Sequence, residues 1–144
     1  MPEPLSESIQ HYLREIYKLR NDEGQASVSA LARRLSVSDA SASAMVKKLD
    51  ALGLAEHVPY RGVSLTPSGE RVALVVIRHH RLLELYLAET LGLDVEDVHD
   101  EADRLEHAIS EELESRIDRA LGFPTHDPHG DPIPDANLRW PRSA

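Results

Sequence analysis

Two segments of this 144-residue chain concentrate nitrogen and oxygen donors at helical spacing: HHRLLE, with His79, His80 and Glu84, and HDEADRLEH, with His99, Asp103, Glu106 and His107. On a helix turning about 100° per residue, the last four fall within one arc of roughly 100° and can face one point. His80 and Glu84 are four apart and stack on one side of the preceding helix. Two such helices packed face to face would enclose one or two divalent ions. Each residue alone fits a solvated, charge-laced helix surface better than a ligand role. The set does not, because a surface helix favours Glu and Lys at i,i+4, whereas three histidines converging with carboxylates form a ligand composition.

Composition narrows the ion and the compartment. The chain has no cysteine, so disulfides, thiolate zinc sites and iron-sulfur clusters are excluded and harder ions are favoured. With 41% hydrophobic residues it is long enough for one or two small domains with a real core. No apolar run approaches membrane-spanning length, and MPEPLSESIQ lacks the basic and apolar regions of a signal peptide, so a cytoplasmic protein with no membrane partner is expected. The net charge of -9 is unevenly spread: residues 1–82 carry 11 Lys/Arg against 9 Asp/Glu, and residues 83–144 carry 5 against 16. A near-neutral to basic first part can meet phosphate while an acidic second part awaits cations.

Those donors need elements to position them. Ile9, Tyr12, Leu13, Ile16, Tyr17 and Leu19 repeat near a 3.6 period and predict a first helix over Ser8 to Arg20, ended near Asn21 to Gly24. In SVSALARRLSVSDASASAMVKKLDALGL, Ser29 is expected to cap a short helix Ala30 to Leu35, with a turn at Ser36 to Ser38 and a longer helix from Asp39 to Leu52. That is helix-turn-helix spacing. HVPYRGVSLTPSG then reads as two short strands, Ala55 to Pro59 and Val63 to Thr66, around a Tyr60-Arg61-Gly62 tip, a hairpin in the place of a wing. A long helix is expected from Thr66 to about Leu91, a short one over Asp94 to Val98, and a single helix from about His99 through Leu121 with Ala102, Leu105, Ile109, Leu113, Ile117 and Leu121 on its apolar stripe. Apolar surface on three consecutive segments exceeds what one small domain covers, which predicts a homodimer over the competing compact monomeric bundle. The tail FPTHDPHGDPIPDANLRWPRSA is rich in Pro and reads as irregular chain. The fold class is mainly α, with a winged helix-turn-helix DNA-binding domain over 1–72 and a helical metal-binding and dimerisation domain over 73–144.

The second helix of the motif opens with small residues, Ser38, Ala40, Ser41, Ser43 and Ala44, which let a backbone enter the major groove closely. Ser hydroxyls can reach base edges or phosphates, and Lys47 and Lys48 follow where such a helix meets phosphate. Arg61 at the wing tip would reach a phosphate or the minor groove. A winged helix used for protein contact is the plainer alternative, but Ala42, Met45, Val46 and Leu49 already supply a core-facing stripe and leave the Ser and Lys residues outside it. No long basic run exists. Specific binding therefore needs a dimer on a two-part, palindromic site in double-stranded DNA.

Taken together, HYLREIYKL (His11 to Leu19), the helix-turn-helix and wing, RGVSLTPSG, RHHRLLE, HDEADRLEH and PHGDPIP (Pro128 to Pro134) are specific. Over about Ile9 to Pro134 the chain resembles the diphtheria toxin repressor family of metal-dependent transcriptional regulators, in its short, manganese-regulator-like form. The resemblance implies a repressor of metal-uptake genes, not an enzyme, with two metal sites per subunit. The primary site would take His11, Asp103, Glu106 and His107, and the second His80, Glu84 and His99; in the manganese regulators the position of His80 belongs to a paired-metal cluster. Iron-responsive members carry sulfur ligands at the positions of His11 and Asp103, and manganese-responsive members carboxylates. Here an imidazole and a carboxylate stand there, which favours manganese (Mn2+) with iron (Fe2+) as the alternative, while His11 would also suit zinc or cobalt. Arg14 replaces a further carboxylate ligand of the manganese branch and cannot bind a metal, which favours two separated sites. Without the SH3-like third domain of longer members, water or His126, Asp127 or His129 would complete the second site. Because His11 belongs to the first domain and Asp103, Glu106 and His107 to the second, coordination would clasp the domains and set the recognition helices for the operator. Two rivals remain: a small metalloenzyme, against which stands the lack of HExxH, of a nucleophile beside a base and of a phosphate loop, and a winged-helix regulator sensing an organic ligand, for which 4% aromatic residues offer little pocket.

Overall fold

The computed structural model describes residues 5–142. These form six helices and one two-stranded sheet, and the chain divides between Ala73 and Leu74 into two compact units.

In the first unit, α1 (Glu7–Glu23) starts where the Ser6 hydroxyl accepts from the Ile9 N–H and stops at Gly24, whose φ of 78° closes the last turn. Its face of Ile9, Leu13, Ile16 and Leu19 is buried. α2 (Val28–Leu35) is capped by Ser27 and not, as expected, by Ser29. Both are serines, but Ser27 holds the extended backbone a cap requires and accepts from the Ala30 N–H at 3.0 Å. Ser36, at φ 56°, turns the chain into α3 (Asp39–Ala51), which Ser38 caps. Helices α1 to α3 close around Leu13, Ile16, Leu31, Val46, Leu49 and Val63, all at 0 or 1% exposure.

β1 (Ala55–Val58) and β2 (Gly62–Leu65) pair antiparallel from Ala55 opposite Leu65 to Val58 opposite Gly62. Two hydrogen bonds moor this wing: the Val63 N–H donates to Ala26 O at 2.8 Å, and Arg20 Nη1 donates to Val63 O at 3.1 Å. Gly62 is required here, since φ is 83° and a Cβ would lie 2.5 Å from Ala26 O. Thr66 then opens α4 (Pro67–Glu89), its hydroxyl accepting from the Gly69 N–H and donating to Gly53 O. Gly69 lies against the Leu54 carbonyl, 1.9 Å from where a Cβ would stand.

The second unit contains the later turns of α4, α5 (Val98–Leu105), α6 (Glu111–Ala120) and the tail. The single helix expected from His99 to Leu121 is two helices, with a turn at Glu106 to Ala108 between them. Ser110 has the extended backbone of a cap and accepts from the Leu113 N–H, and Glu111, Glu112 and Glu114 in the following turn favour a helix N-terminus at that point. The short helix expected over Asp94 to Val98 is a turn that leads into α5. Buried Arg78 donates to the Glu114 and Asp118 carboxylates and to Pro134 O, and Arg81 donates to Pro132 O at 2.6 Å. These bonds dock the tail on α4. Within it the Asp127 carboxylate accepts from the His129 and Asp131 N–H groups, both at 2.9 Å. No described helix is long and apolar enough to cross a membrane.

Gly69→Ala should destabilise the protein by about 1–3 kcal/mol, because the added methyl displaces a carbonyl that cannot retreat. Gly24→Ala, strained only by its φ in open space, should cost about 1 kcal/mol and less than Gly69→Ala. Urea unfolding of the two variants checks the ranking, and equal midpoints would refute the close approach.

Candidate metal centre

His80 is the hub of the donor cluster in the second unit. From the middle of α4 its Nδ1 lies 2.6 Å from Glu106 Oε2 and 3.3 Å from Asp103 Oδ1, while its Nε2 lies 3.0 Å from Glu84 Oε1 and 3.1 Å from His99 Nδ1. The His80 and His99 rings meet edge to face at 4.8 Å. Glu84 and Glu106 are 3% and 1% exposed, so two carboxylates sit almost out of water. His99 is exposed and stands 3.4 Å from Asp103. His107 Nε2 is 3.2 Å from Glu106 Oε1.

The turn after α5 makes this arrangement. Glu106 is the C-cap of α5, still helical at φ -61° and ψ -25°, and with Asp103 it reaches the same nitrogen of His80, while His107 follows in the turn. His79 secures the turn: its Nδ1 lies 3.2 Å from the Glu106 carbonyl oxygen and its Nε2 meets the Glu114 carboxylate. Both nitrogens of His79 are thereby engaged, one on a backbone carbonyl and one on a carboxylate, which makes it a buttress of the turn.

The tail adds donors. Ligand atoms of His80, His99 and Asp103 lie within 4.8 Å of one another, and so do those of Glu84, Asp127 and His129. Glu84 Oε2 is buried without a hydrogen-bond partner, with His129 Nδ1 at 3.5 Å. A buried carboxylate oxygen left unsatisfied among imidazoles and carboxylates is the donor set of a hard to borderline divalent cation. Asp127 and His129 are two of the three tail groups expected to complete the second site, and their ligand atoms gather at Glu84.

Charge in the cluster is balanced internally. Burial opposes a charge on His80, but its hydrogen bonds to Glu106 and Glu84 and the attraction of both carboxylates prevail and push its pKa up to about 9. Glu84 is likewise opposed by burial and is held below the usual carboxylate range by His80, with His129 and His99 contributing. Glu114 is lowered too, His79 and Arg78 outweighing burial.

Among the other candidates, His11 is half-buried on α1 in the first unit. Ser38, Ala40, Ser41, Ala44, Lys47, Lys48 and Arg61 are exposed and Ser43 is half-buried, while Ala42, Val46 and Leu49 point into the core. The Ser38 hydroxyl caps α3 and donates to Ser41 Oγ at 3.0 Å, so it has a structural task besides any with DNA. In the second unit Leu83, Tyr86, Leu105, Ile109, Leu113 and Ile117 line an apolar groove of about 310 Å³. Leu105 and Leu113 are 42% and 51% exposed there.

Two family models match the chain: iron dependent repressor, N-terminal DNA binding domain, over residues 4–63, and iron dependent repressor, metal binding and dimerisation domain, over residues 66–135. The chain is 40% identical over 131 residues to a diphtheria toxin repressor of Corynebacterium efficiens, covering 90% of this chain and 56% of that protein. It is 34% identical over 114 residues to an HTH-type transcriptional regulator of Methanocaldococcus jannaschii, covering 78% of this chain and 91% of that one. A solved structure of a manganese-dependent transcriptional repressor in complex with manganese is 46% identical and superposes with a TM-score of 0.86 over 94% of this chain and 62% of its own. The chain thus spans between half and two thirds of the length of the first and third of these relatives.

The His80 network should leave a pH signature in metal-free protein. A raised histidine pKa contributes stability that is fully present below the unfolded value of 6.5 and lost as pH rises through about 9. His80→Gln should flatten the fall in urea midpoint between those limits, and a variant that keeps the wild-type slope would refute the assignment.

Proposed function

Because the chain belongs to the iron-dependent repressor family, we propose that it is a metal-dependent transcriptional regulator, a repressor of metal-ion uptake genes working as a cytoplasmic homodimer. The observation that carries this reading is the buried gathering of His80, Glu84 and Glu106 with His99 and Asp103, in a chain whose other unit is a winged helix-turn-helix.

Manganese (Mn2+) is the preferred effector and iron (Fe2+) the alternative, since only nitrogen and oxygen donors are present. We assign two sites per subunit. The first takes His11, Asp103, Glu106 and His107; the second takes His80, Glu84 and His99, with Asp127 and His129 as further donors supported by their grouping with Glu84. A divalent ion would supply the positive charge that the clustered carboxylates otherwise draw from protonated imidazole. His11 belongs to one unit and Asp103, Glu106 and His107 to the other, so a shared ligand set would restrict where the recognition helices lie and lower the entropy lost on docking. Ser38, Ala40, Ser41, Ser43 and Ala44 would face base edges in the major groove, with Lys47, Lys48 and Arg61 on phosphates. A second copy of the chain would cover the apolar groove of Leu83, Tyr86, Leu105, Ile109 and Leu113, giving the two-fold symmetry a palindromic operator needs. The same groove supports the second reading, a regulator whose effector is an apolar organic molecule seated there.

Selection of DNA from a random pool under anaerobic conditions, with Mn2+, with Fe2+ and with chelator, separates the readings. Mn2+ should enrich a two-part palindrome that chelator abolishes, with affinity raised about a hundredfold for a coupling of about 3 kcal/mol. His11→Ala and Glu106→Gln should each lose that metal response while keeping the far-UV CD spectrum. Enrichment of one site in all three conditions would leave the metal no regulatory part and favour the organic effector.

A further inference from the structure

We propose that the notch between the end of α1 and the wing is a phosphate seat, in which Arg20 and Arg61 together hold a backbone phosphodiester of duplex DNA. This rests on the DNA-binding reading above and adds a residue, Arg20, that lies outside the helix-turn-helix.

The notch is an open cavity of about 370 Å³, lined by the side chains of Arg20, Gln25, Arg61 and Ser64 and flanked by Gly24 and Gly62. Two guanidinium groups, an amide and a hydroxyl converge there, all able to donate to anionic oxygen, and no carboxylate lines it. Two other arginines of the unit are neutralised: Arg34 lies 2.7 Å from Glu15 and 3.5 Å from Asp22, and Arg14 lies 3.3 Å from Glu15. Arg20 and Arg61 have no carboxylate partner among the described residues, so their charge is available to a ligand.

The seat is built in advance. Arg20 Nη1 donates to Val63 O at 3.1 Å, which fixes the guanidinium against β2 and leaves the rest of its donor fork. The Val63 N–H to Ala26 O bond and the side-chain-free approach of Gly62 to Ala26 hold the wing to the loop after α1. Bidentate Arg contact with phosphate benefits from such fixing, because little rotamer freedom is then lost on binding. A free anion in so open a notch competes with bulk water and salt and is held weakly. A phosphate delivered by a duplex already docked on α3 arrives at high effective concentration, which selects DNA as the ligand.

The test uses the full chain with Mn2+ and a duplex selected from a random pool by the wild-type protein. Arg20→Gln removes the charge but keeps a donor for Val63 O; Arg20→Ala removes both. The slope of log affinity against log salt should fall in magnitude by about one for each Arg20→Gln subunit, with the loss equal across duplex sequences. Ethylation of one flanking phosphate per half-site should impair wild type and not Arg20→Gln. An unchanged slope in Arg20→Gln, or a defect confined to Arg20→Ala, would overturn the seat and leave Arg20 as a support of the wing. Thermal stabilisation by inorganic phosphate at fixed ionic strength that Arg20→Gln abolishes would overturn the DNA assignment in favour of a free-anion site. A wild-type protein that selects no duplex would instead overturn the parent reading.

Discussion

Two carboxylates taken out of water, those of Glu84 and Glu106, need a cation beside them. Desolvating an isolated carboxylate costs several kcal/mol, which packing of a unit this small cannot absorb. His80 meets the need within the chain, reaching Glu106 through one ring nitrogen and Glu84 through the other. The arrangement of the second unit follows from that contact. α4 carries His80 and Glu84, the turn after α5 delivers Glu106, α5 supplies His99 and Asp103, and the tail closes over Glu84 with Asp127 and His129.

A layer of fixed charges outside the cluster holds these parts in register. Four consecutive residues of α4 tie it to the rest of the unit, with Glu114 shared by the first two and Glu106 by the middle two. Arg78 spans Glu114, Asp118 and Pro134 O; His79 joins the Glu106 carbonyl to Glu114; His80 meets Glu106 and Glu84; Arg81 holds Pro132 O and lies over Trp140. Buried polar networks of this kind constrain geometry through their particular partners, because losing one strands a buried charge. The network therefore fixes where the turn and the tail sit, which apolar contact alone would leave loose, since Leu82, Leu85 and Ile133 form one small cluster and Leu83, Ala102 and Ile117 another.

What could be read from the chain without coordinates was what local chemistry decides. The stop near Gly24, the turn at Ser36 to Ser38 and the apolar repeat of α1 each act within a turn or two, and the helix-turn-helix and wing lie where those signals put them. The His80 and Glu84 pair was equally legible, being four residues apart on one helix. The length of the helix carrying His99, Asp103 and Glu106 was not, because Ala102, Leu105, Ile109, Leu113 and Ile117 keep their period across a break that one serine cap imposes. Ser27 and Ser29 were indistinguishable by type, and backbone conformation chose between them. Proximity of Glu84 to Asp127 and His129 was beyond any periodicity argument, since it depends on arginines of α4 docking a tail some fifty residues later in the chain.

The two units are held by different forces, and that difference divides the labour. The first has one continuous apolar cluster running from Ile9 through Leu31, Val46 and Leu49 to Ala73. Burial of this kind neither titrates nor engages a cation, so the elements that carry the α3 face and the wing are held without any proton or ion exchange. The second divides its apolar core into small clusters and leans on buried carboxylates, imidazoles and guanidinium groups. Whatever exchanges a proton for a cation in that network changes the free energy of its fold directly, because ligand deprotonation, binding and ordering are linked there. Under the proposed function, the unit that would read DNA has the first kind of stability and the unit that would sense an ion has the second.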